Sequence, residues 1–316
     1  MSKKMGYLLG MLLTIVICMI LAWIFCCNTT QSSDSQNNQR ETTINNPPAV
    51  ATPEVATSMA FNLKGPDGKF AFTSNDNFNF NTSSFSILPP ISGEVTDGVN
   101  QLKTYFETAG NEDKMIDITG YYDSGEKNTS AFADLGLARS NSVKNYFVDQ
   151  GIPSSRINTY GELRASIVSD GNVYKGPIEY RIFNQANGDL DATNTALQDI
   201  ENSLRADPLV LYFNYGEASV TLSEKKRLQI GDISRYLDKK EGATITVEGH
   251  TDSQGSLTTN DRLGLERAEF AKAYLANNGI PESKIKTVSK GERSPIETND
   301  TEEGHNKNRR AVITLN

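Results

Sequence analysis

The segment LGLARSNSVKNYFVDQGIPSSRI at 135–157 recurs as LGLERAEFAKAYLANNGIPESKI at 263–285, with 11 of 23 positions identical and no gap. Identity that dense over so long a run implies two copies of one domain, and any fold proposed for one copy has to suit the other. The match extends upstream. DITGYYDSG (117–125) faces TVEGHTDSQG (246–255), and FNFN (78–81) faces YFNYG (212–216).

The second copy has the clearer pattern of elements. LVLYFN (209–214) is a strand-like apolar run. Thr221 with Glu224 reads as a capping box, and Ile230, Ile233 and Leu237 follow at helical spacing. ATITVE (243–248) alternates like a strand. A helix is expected from about Asn260 to Asn278, with Leu265, Ala268, Ala271 and Leu275 on one face, ended by Gly279 and Pro281. Segments 284–290 and 309–315 read as two further strands. The order β-α-β-α-β-β favours parallel neighbours joined by right-handed crossovers. The expected fold is therefore α+β: two such domains, each a mixed sheet with helices on one face. The first copy shows the same order, with a helix near 91–107, and FNLKGPDGKFAF (61–72) reads as a hairpin around a Gly-Pro-Asp-Gly turn. Between the copies, Leu190, Leu197 and Leu204 recur with Ile200 and predict a short linking helix over 188–206.

Ahead of both copies, residues 5–27 carry no charge. About 20 apolar residues suffice to span a bilayer core. Trp23, Ile24 and Phe25 are too bulky for a cleavage site before Cys26, which argues against the alternative of an outer-membrane lipoprotein. Lys3 and Lys4 precede the run, so the positive-inside rule places the N-terminus in the cytoplasm and everything beyond residue 27 outside. The expectation is a single inner-membrane span at 1–27 with periplasmic domains. Residues 28–60 are rich in Asn, Gln, Ser, Thr and Pro and read as a disordered tether. At roughly 5–6 Å × √n such a tether averages roughly 30 Å end to end, and it could reach ~110 Å when stretched. The remaining expected boundaries are 61–187 for the first copy and 207–316 for the second.

Net charge is −8, which argues against nucleic acid as a partner. The three cysteines, Cys18, Cys26 and Cys27, all lie in or beside the apolar run, so the domains have no thiol nucleophile, disulfide framework or cysteine zinc site. His250 has no nucleophile-elbow pattern near it, and His250, Asp252 and the distant His305 do not have metal-ligand spacing. No enzyme activity, cofactor or metal is expected. The corner GHTD (249–252) suits recognition instead. Asp252 projects from a strand-to-helix loop, and Arg267 lies about two turns into the following helix. A carboxylate acceptor and a guanidinium fork then flank a gap, and together they match the ammonium and carboxylate of a zwitterion.

Several separated motifs carry a family resemblance. They are Gly249–Asp252, Asn260, the run Leu263-Gly264-Leu265-Glu266-Arg267-Ala268, Gly279-Ile280-Pro281, and Gly291-Glu292 with Pro295. Asn299 with Thr301, Gly304, Asn308, Arg309 and Arg310 completes the set. The second copy resembles the OmpA-like peptidoglycan-binding domain. The resemblance implies non-covalent binding of the diaminopimelate in a peptidoglycan stem peptide, with Asp252 and Arg267 gripping its two charges. It also implies that Asn214, Thr251 and Asn260 line the site and that Arg310 supports it. Gly264 stands where the family usually has Ser, and His305 where it usually has Arg, at the rim. The first copy keeps Asp123 and Arg139, but their interval is 16 rather than 15, and Tyr121-Tyr122 replace His-Thr. It reads as a degenerate copy. The function expected is a membrane-anchored wall-binding protein that tethers the envelope. One alternative is an anchoring part of a secretion or motor-like complex with envelope protein partners. A motor stator would need an ionisable residue in the membrane, and residues 5–27 hold none.

Overall fold

The computed structural model describes residues 56–213 and 222–316. The span expected at 5–27 lies outside them, as does most of the tether. Among the described residues, no helix is long and apolar enough to cross a membrane. The last tether residues, 56–60, are held rather than free: the Thr57 amide donates to Val168 O at 2.9 Å and the Met59 amide to Lys175 O at 3.2 Å.

Copy one begins with a hairpin, β1 (Phe61–Lys64) and β2 (Ala71–Ser74), paired antiparallel with Phe61 opposite Ser74. The hairpin closes the copy's own core, since buried Phe61 meets Phe78 and Tyr180 edge-on at 6.2 Å and 4.8 Å. There follow β3 (Phe80–Asn81), α1 (Gly93–Glu107), β4 (Lys114–Tyr122), α2 (Leu135–Asp149), β5 (Ile157–Leu163), β6 (Val173–Tyr174) and β7 (Ile178–Asn184). β4 is the central strand, parallel to β5 and antiparallel to β7. β3 pairs with the two-residue β6, beyond the Gly176-Pro177 break that separates it from β7, and Phe80 also bridges Ile87.

Then come α3 (Asn187–Ala206), β8 (Leu209–Tyr212), α4 (Glu224–Lys239), β9 (Ile245–His250), α5 (Leu257–Asn277), β10 (Ile285–Gly291), α6 (Glu302–Asn308) and β11 (Arg310–Leu315). The sheet of copy two runs β10-β9-β11-β8, with β10 parallel to β9 and the other pairs antiparallel. The architecture is mixed α+β, with six helices among the described residues. Two local expectations shift. α4 is capped by Ser223, whose side chain accepts from the Lys226 amide, and Thr221 falls outside the described residues. α5 buries Asn260, Gly264, Ala268, Ala271 and Leu275, whereas Leu265 is 44% exposed. The buried stripe passes through Gly264, one position away from Leu265, because the helix lies close against β9 there, with a Cβ on Gly264 only 2.8 Å from Gly249 O.

The two copies share one compact unit and pack directly on each other. Ala131, Phe132 and Ala138 of copy one belong to the apolar core of copy two. Across the same junction, the nearly buried Lys144 Nζ meets Asp238 Oδ2 at 2.6 Å, and the Asn278 side chain accepts from the Ala131 amide at 2.7 Å. Breaking a buried ion pair by removing one partner costs about 3–5 kcal/mol, so the copies are not independent beads on a string.

Candidate ligand-binding site

β9 delivers Gly249 and His250 to the end of the sheet, and the chain then turns through Thr251 and Asp252 before Ser256 caps α5. A Cβ on Gly249 would stand 1.7 Å from Gly264 O, and one on Gly264 would stand 2.3 Å from Ser289 Oγ. This glycine pair lets α5 lie on β9 at backbone contact. Arg267, one turn beyond Gly264, thereby reaches the strand end, and its Nη1 donates to His250 O at 2.8 Å. The unusual Gly264 is therefore a packing requirement of this helix–strand contact.

Asp252 is 5% exposed. Its Oδ2 accepts from Arg309 Nη1 at 2.7 Å and its Oδ1 from the Gln254 amide at 3.2 Å. Arg309 in turn reaches Glu302 at 3.1 Å and the Asn306 side chain. Arg309, and not the Arg310 expected to support the site, is the arginine bonded to Asp252. Arg310, the first residue of β11, donates instead to Asn308 O at 3.3 Å and Ser294 O at 3.0 Å. Adjacent side chains at a strand start leave on opposite sides, so only one of the two arginines can face Asp252.

Asp252 pairs with Arg309 and not with Arg267, although the Asp252 charge still acts on the Arg267 guanidinium, whose pKa burial pulls down. Arg267 is partly exposed, and among the described residues His250 O is its one hydrogen-bond partner. A guanidinium carries five N–H donors, so most of this fork is available. Among the described residues, Thr251 Oγ1 and Asn260 Oδ1 are buried without a hydrogen-bond partner, as are both ring nitrogens of His250, whose ring lies toward Arg310 and Lys290. Each buried polar atom left unpaired costs about 1–3 kcal/mol, so such atoms call for an explanation. Asn260 itself is oriented by Glu292, which accepts from its Nδ2. Asn214, also expected at the site, lies outside the described residues.

Burial, with Arg310 and Lys290 nearby, pushes the His250 pKa down to about 4, so the imidazole is neutral at pH 7. It is a buried wall of the corner and not a charged ligand group. His305 sits at the rim, with Nε2 2.6 Å from Asn299 O and Nδ1 3.1 Å from Gln254 Nε2. Asn299 also accepts from the Ser253 amide at 3.3 Å, so the α6 region braces the Asp252 turn from outside. Two residues that matter here were missed from sequence. Arg309 was visible only as half of an Arg-Arg pair whose phase was unknown, and Glu292 only as part of a Gly-Glu motif.

The OmpA family model matches residues 78–174 and 212–309, together more than half of the chain. The chain is 36% identical over 103 residues to the peptidoglycan-associated lipoprotein of Buchnera aphidicola, covering 33% of this chain and 58% of that one. It is 38% identical over 104 residues to the peptidoglycan-associated lipoprotein of Haemophilus influenzae, covering 33% and 66%. The chain thus spans less than two thirds of the length of these relatives. Among solved structures, the peptidoglycan-associated lipoprotein of Burkholderia pseudomallei matches with TM-score 0.33 at 27% identity, covering 38% of this chain and 99% of that one. The C-terminal domain of Helicobacter pylori MotB matches with TM-score 0.29 at 25% identity, covering 35% and 84%. With the motif set, the glycine-paired corner and the two matched segments taken together, this chain belongs to the OmpA family as two tandem copies of its domain.

Proposed function

We propose that copy two binds peptidoglycan non-covalently, by holding the free end of a diaminopimelate-containing stem peptide between Asp252 and Arg267. The observation that carries this reading is the unequal state of the two charges. Asp252 is fixed and partly neutralised by Arg309, while Arg267 keeps an available fork, and Thr251 Oγ1 and Asn260 Oδ1 of the same loop and helix are buried without a hydrogen-bond partner. A carboxylate has about four lone-pair sites, so Asp252 can accept an ammonium while keeping Arg309 and the Gln254 amide. Arg267 takes the ligand carboxylate, and Thr251 Oγ1 and Asn260 Oδ1 complete the lining. Arg310 stays behind the site and shapes it through the carbonyls it holds. Asn214 belongs to the same lining in this reading.

The similarity to peptidoglycan-associated lipoproteins and to MotB supports an envelope role, with the domains in the periplasm. In this reading residues 5–27 anchor the chain in the inner membrane and residues 28–55 tether the paired domains at the wall. The test is retention of the full chain, in detergent, on purified walls. Walls with diaminopimelate stems should retain it, and walls with lysine stems, which lack the second carboxylate, should not. Equal retention on both would refute the assignment.

A further inference from the structure

Copy one repeats the glycine pair and the first arginine contact of the copy-two corner. Gly120 and Gly136 form the same close pair, since a Cβ on Gly120 would stand 2.1 Å from Gly136 O. Arg139, at the place of Arg267, donates through Nη1 to Tyr121 O at 2.9 Å, as Arg267 does to His250 O at 2.8 Å. The rest of the fork differs. Arg139 Nη2 and Nη1 also meet Glu126 Oε1 and Oε2, at 2.6 Å and 3.0 Å. Nε donates to Ser84 O at 3.0 Å and Nη2 to Asn81 O at 3.4 Å. All five donors are used.

The carboxylate is satisfied as completely. Glu126 Oε1 also accepts from the Ser83 amide at 2.8 Å, and Oε2 from the Asp123 amide at 3.0 Å. The Arg139 and Glu126 side chains are 0% and 1% exposed, and the Phe80 and Tyr174 rings flank the guanidinium, each 5.3 Å from Cζ. A fully satisfied buried network of this kind rigidifies its surroundings, whereas a partly satisfied one would be costly.

The local cause lies in the loop. In copy two, α5 begins at Leu257, six positions ahead of Leu263 of the repeated segment, whereas in copy one α2 begins at the matching Leu135 itself. The residues that would have made the first turns of α2 are loop instead. That loop brings Glu126 under Arg139 and sends Ala131 and Phe132 into the core of copy two.

We infer that copy one is a self-liganded domain: Glu126 occupies on Arg139 the place that an external carboxylate takes on Arg267, and the same loop spends the copy's binding site on docking copy two. The comparison with Arg267 rests on the function proposed above, while the closure of copy one does not. Copy one then contributes no wall contact, and its arginine corner is a latent carboxylate site that opens when Glu126 is removed.

The test uses the full chain in detergent. Glu126→Ala should have a lower melting temperature than the parent chain, and acetate should raise it dose-dependently relative to chloride at equal ionic strength, because a ligand that binds only the folded state stabilises it. The parent chain, in which only the Arg267 fork is open, gives the baseline, and the variant should gain more from acetate than the parent does. A Glu126→Ala chain that acetate does not stabilise beyond the parent overturns the inference. If that variant does not fold, guanidinium NMR of the parent chain decides, with signals assigned by Arg139→Lys and Arg267→Lys. Arg139 should give separate, slowly exchanging Nη signals that millimolar meso-diaminopimelate leaves in place, while those of Arg267 move. Averaged Arg139 signals, or Arg139 signals that shift with diaminopimelate, contradict closure. If neither arginine responds and Arg139 stays restrained, copy one is closed as inferred and the reading of copy two fails.

Discussion

Arg309 Nη1 and Asp252 Oδ2 lie 2.7 Å apart with both side chains buried, so the acid of the recognition corner is already half of an internal ion pair. Asp252 is therefore structural as well as a proposed ligand contact, and its replacement should act on folding and binding together. Asp252→Ala leaves Arg309 buried beside an empty place, at a cost of about 3–5 kcal/mol of stability. A double-mutant cycle separates the partners. Asp252→Asn and Arg309→Met should show a coupling energy of about 0.5–3 kcal/mol, whereas Asp252→Asn with Arg310→Met should be close to additive. Urea unfolding of the three single and two double variants measures both. A larger coupling to Arg310 would contradict the geometry.

The glycine pair predicts an order of damage. The nearest atom to a Cβ on Gly249 is backbone, Gly264 O at 1.7 Å, and no rotamer change relieves it. The nearest atom to a Cβ on Gly264 is a side-chain hydroxyl, Ser289 Oγ at 2.3 Å, which can turn away, although Gly249 O follows at 2.8 Å. Overpacking costs about 1–3 kcal/mol, and more where backbone has to move. Gly249→Ala should therefore be clearly more destabilising than Gly264→Ala, with wall binding falling alongside as α5 lifts off β9. Thermal melts of the two variants give the order, and the reverse order would show that the strand yields more readily than the helix.

His250 gives the corner an acid limit. Its pKa is pushed from the ordinary 6.5 to about 4, so below 6.5 the unfolded chain takes up a proton that the folded chain resists. The stability tied to the neutral ring is fully present above about pH 6.5 and is lost progressively as pH falls toward 4. His250→Phe removes this contribution. Chemical unfolding at pH 7.5, 6 and 5 should show a steeper acid loss for the parent chain than for the variant. Parallel pH profiles would mean that His250 titrates as an exposed imidazole does.

Much of this was legible beforehand, because a repeated sequence reports its own domain structure and because apolar periodicity marks the strands and helices around both corners. What stayed hidden depends on phase and on loop paths. Arg309 and Arg310 are chemically identical neighbours, and only the point where β11 begins decides which one faces Asp252. Leu265 looked like the core residue of α5 because leucine is larger than glycine, yet the tight approach to β9 selects Gly264. α6, EEGHNKN, has no apolar residue to announce a helix. Glu126 gave only an indirect sign, the extra residue between Asp123 and Arg139, since a carboxylate's partner in a loop follows from the fold and not from spacing.

The junction between the copies yields a further prediction. Lys144→Ala strands the nearly buried Asp238 carboxylate and should cost about 3–5 kcal/mol of stability, although Lys144 lies far along the chain from the copy-two corner. Unfolding should remain a single transition if the copies fold as one unit. Two resolved transitions in the parent chain would show that they fold separately.

The most direct test concerns Arg267, whose single internal hydrogen bond leaves its fork for a ligand. Truncating one partner of a buried charge pair costs about 2–5 kcal/mol, which at 1.4 kcal/mol per decade is roughly 30-fold to several-thousand-fold in affinity. Arg267→Lys should also lose much of the affinity, because an ammonium cannot make the bidentate contact. Calorimetric titration of the parent chain, Arg267→Ala and Arg267→Lys with a diaminopimelate-containing stem peptide, with circular dichroism to confirm folding, measures this. The expected result is tight binding by the parent, loss of measurable binding in folded Arg267→Ala and strong weakening in Arg267→Lys; near-parent affinity in a folded Arg267→Ala chain would contradict recognition at this corner.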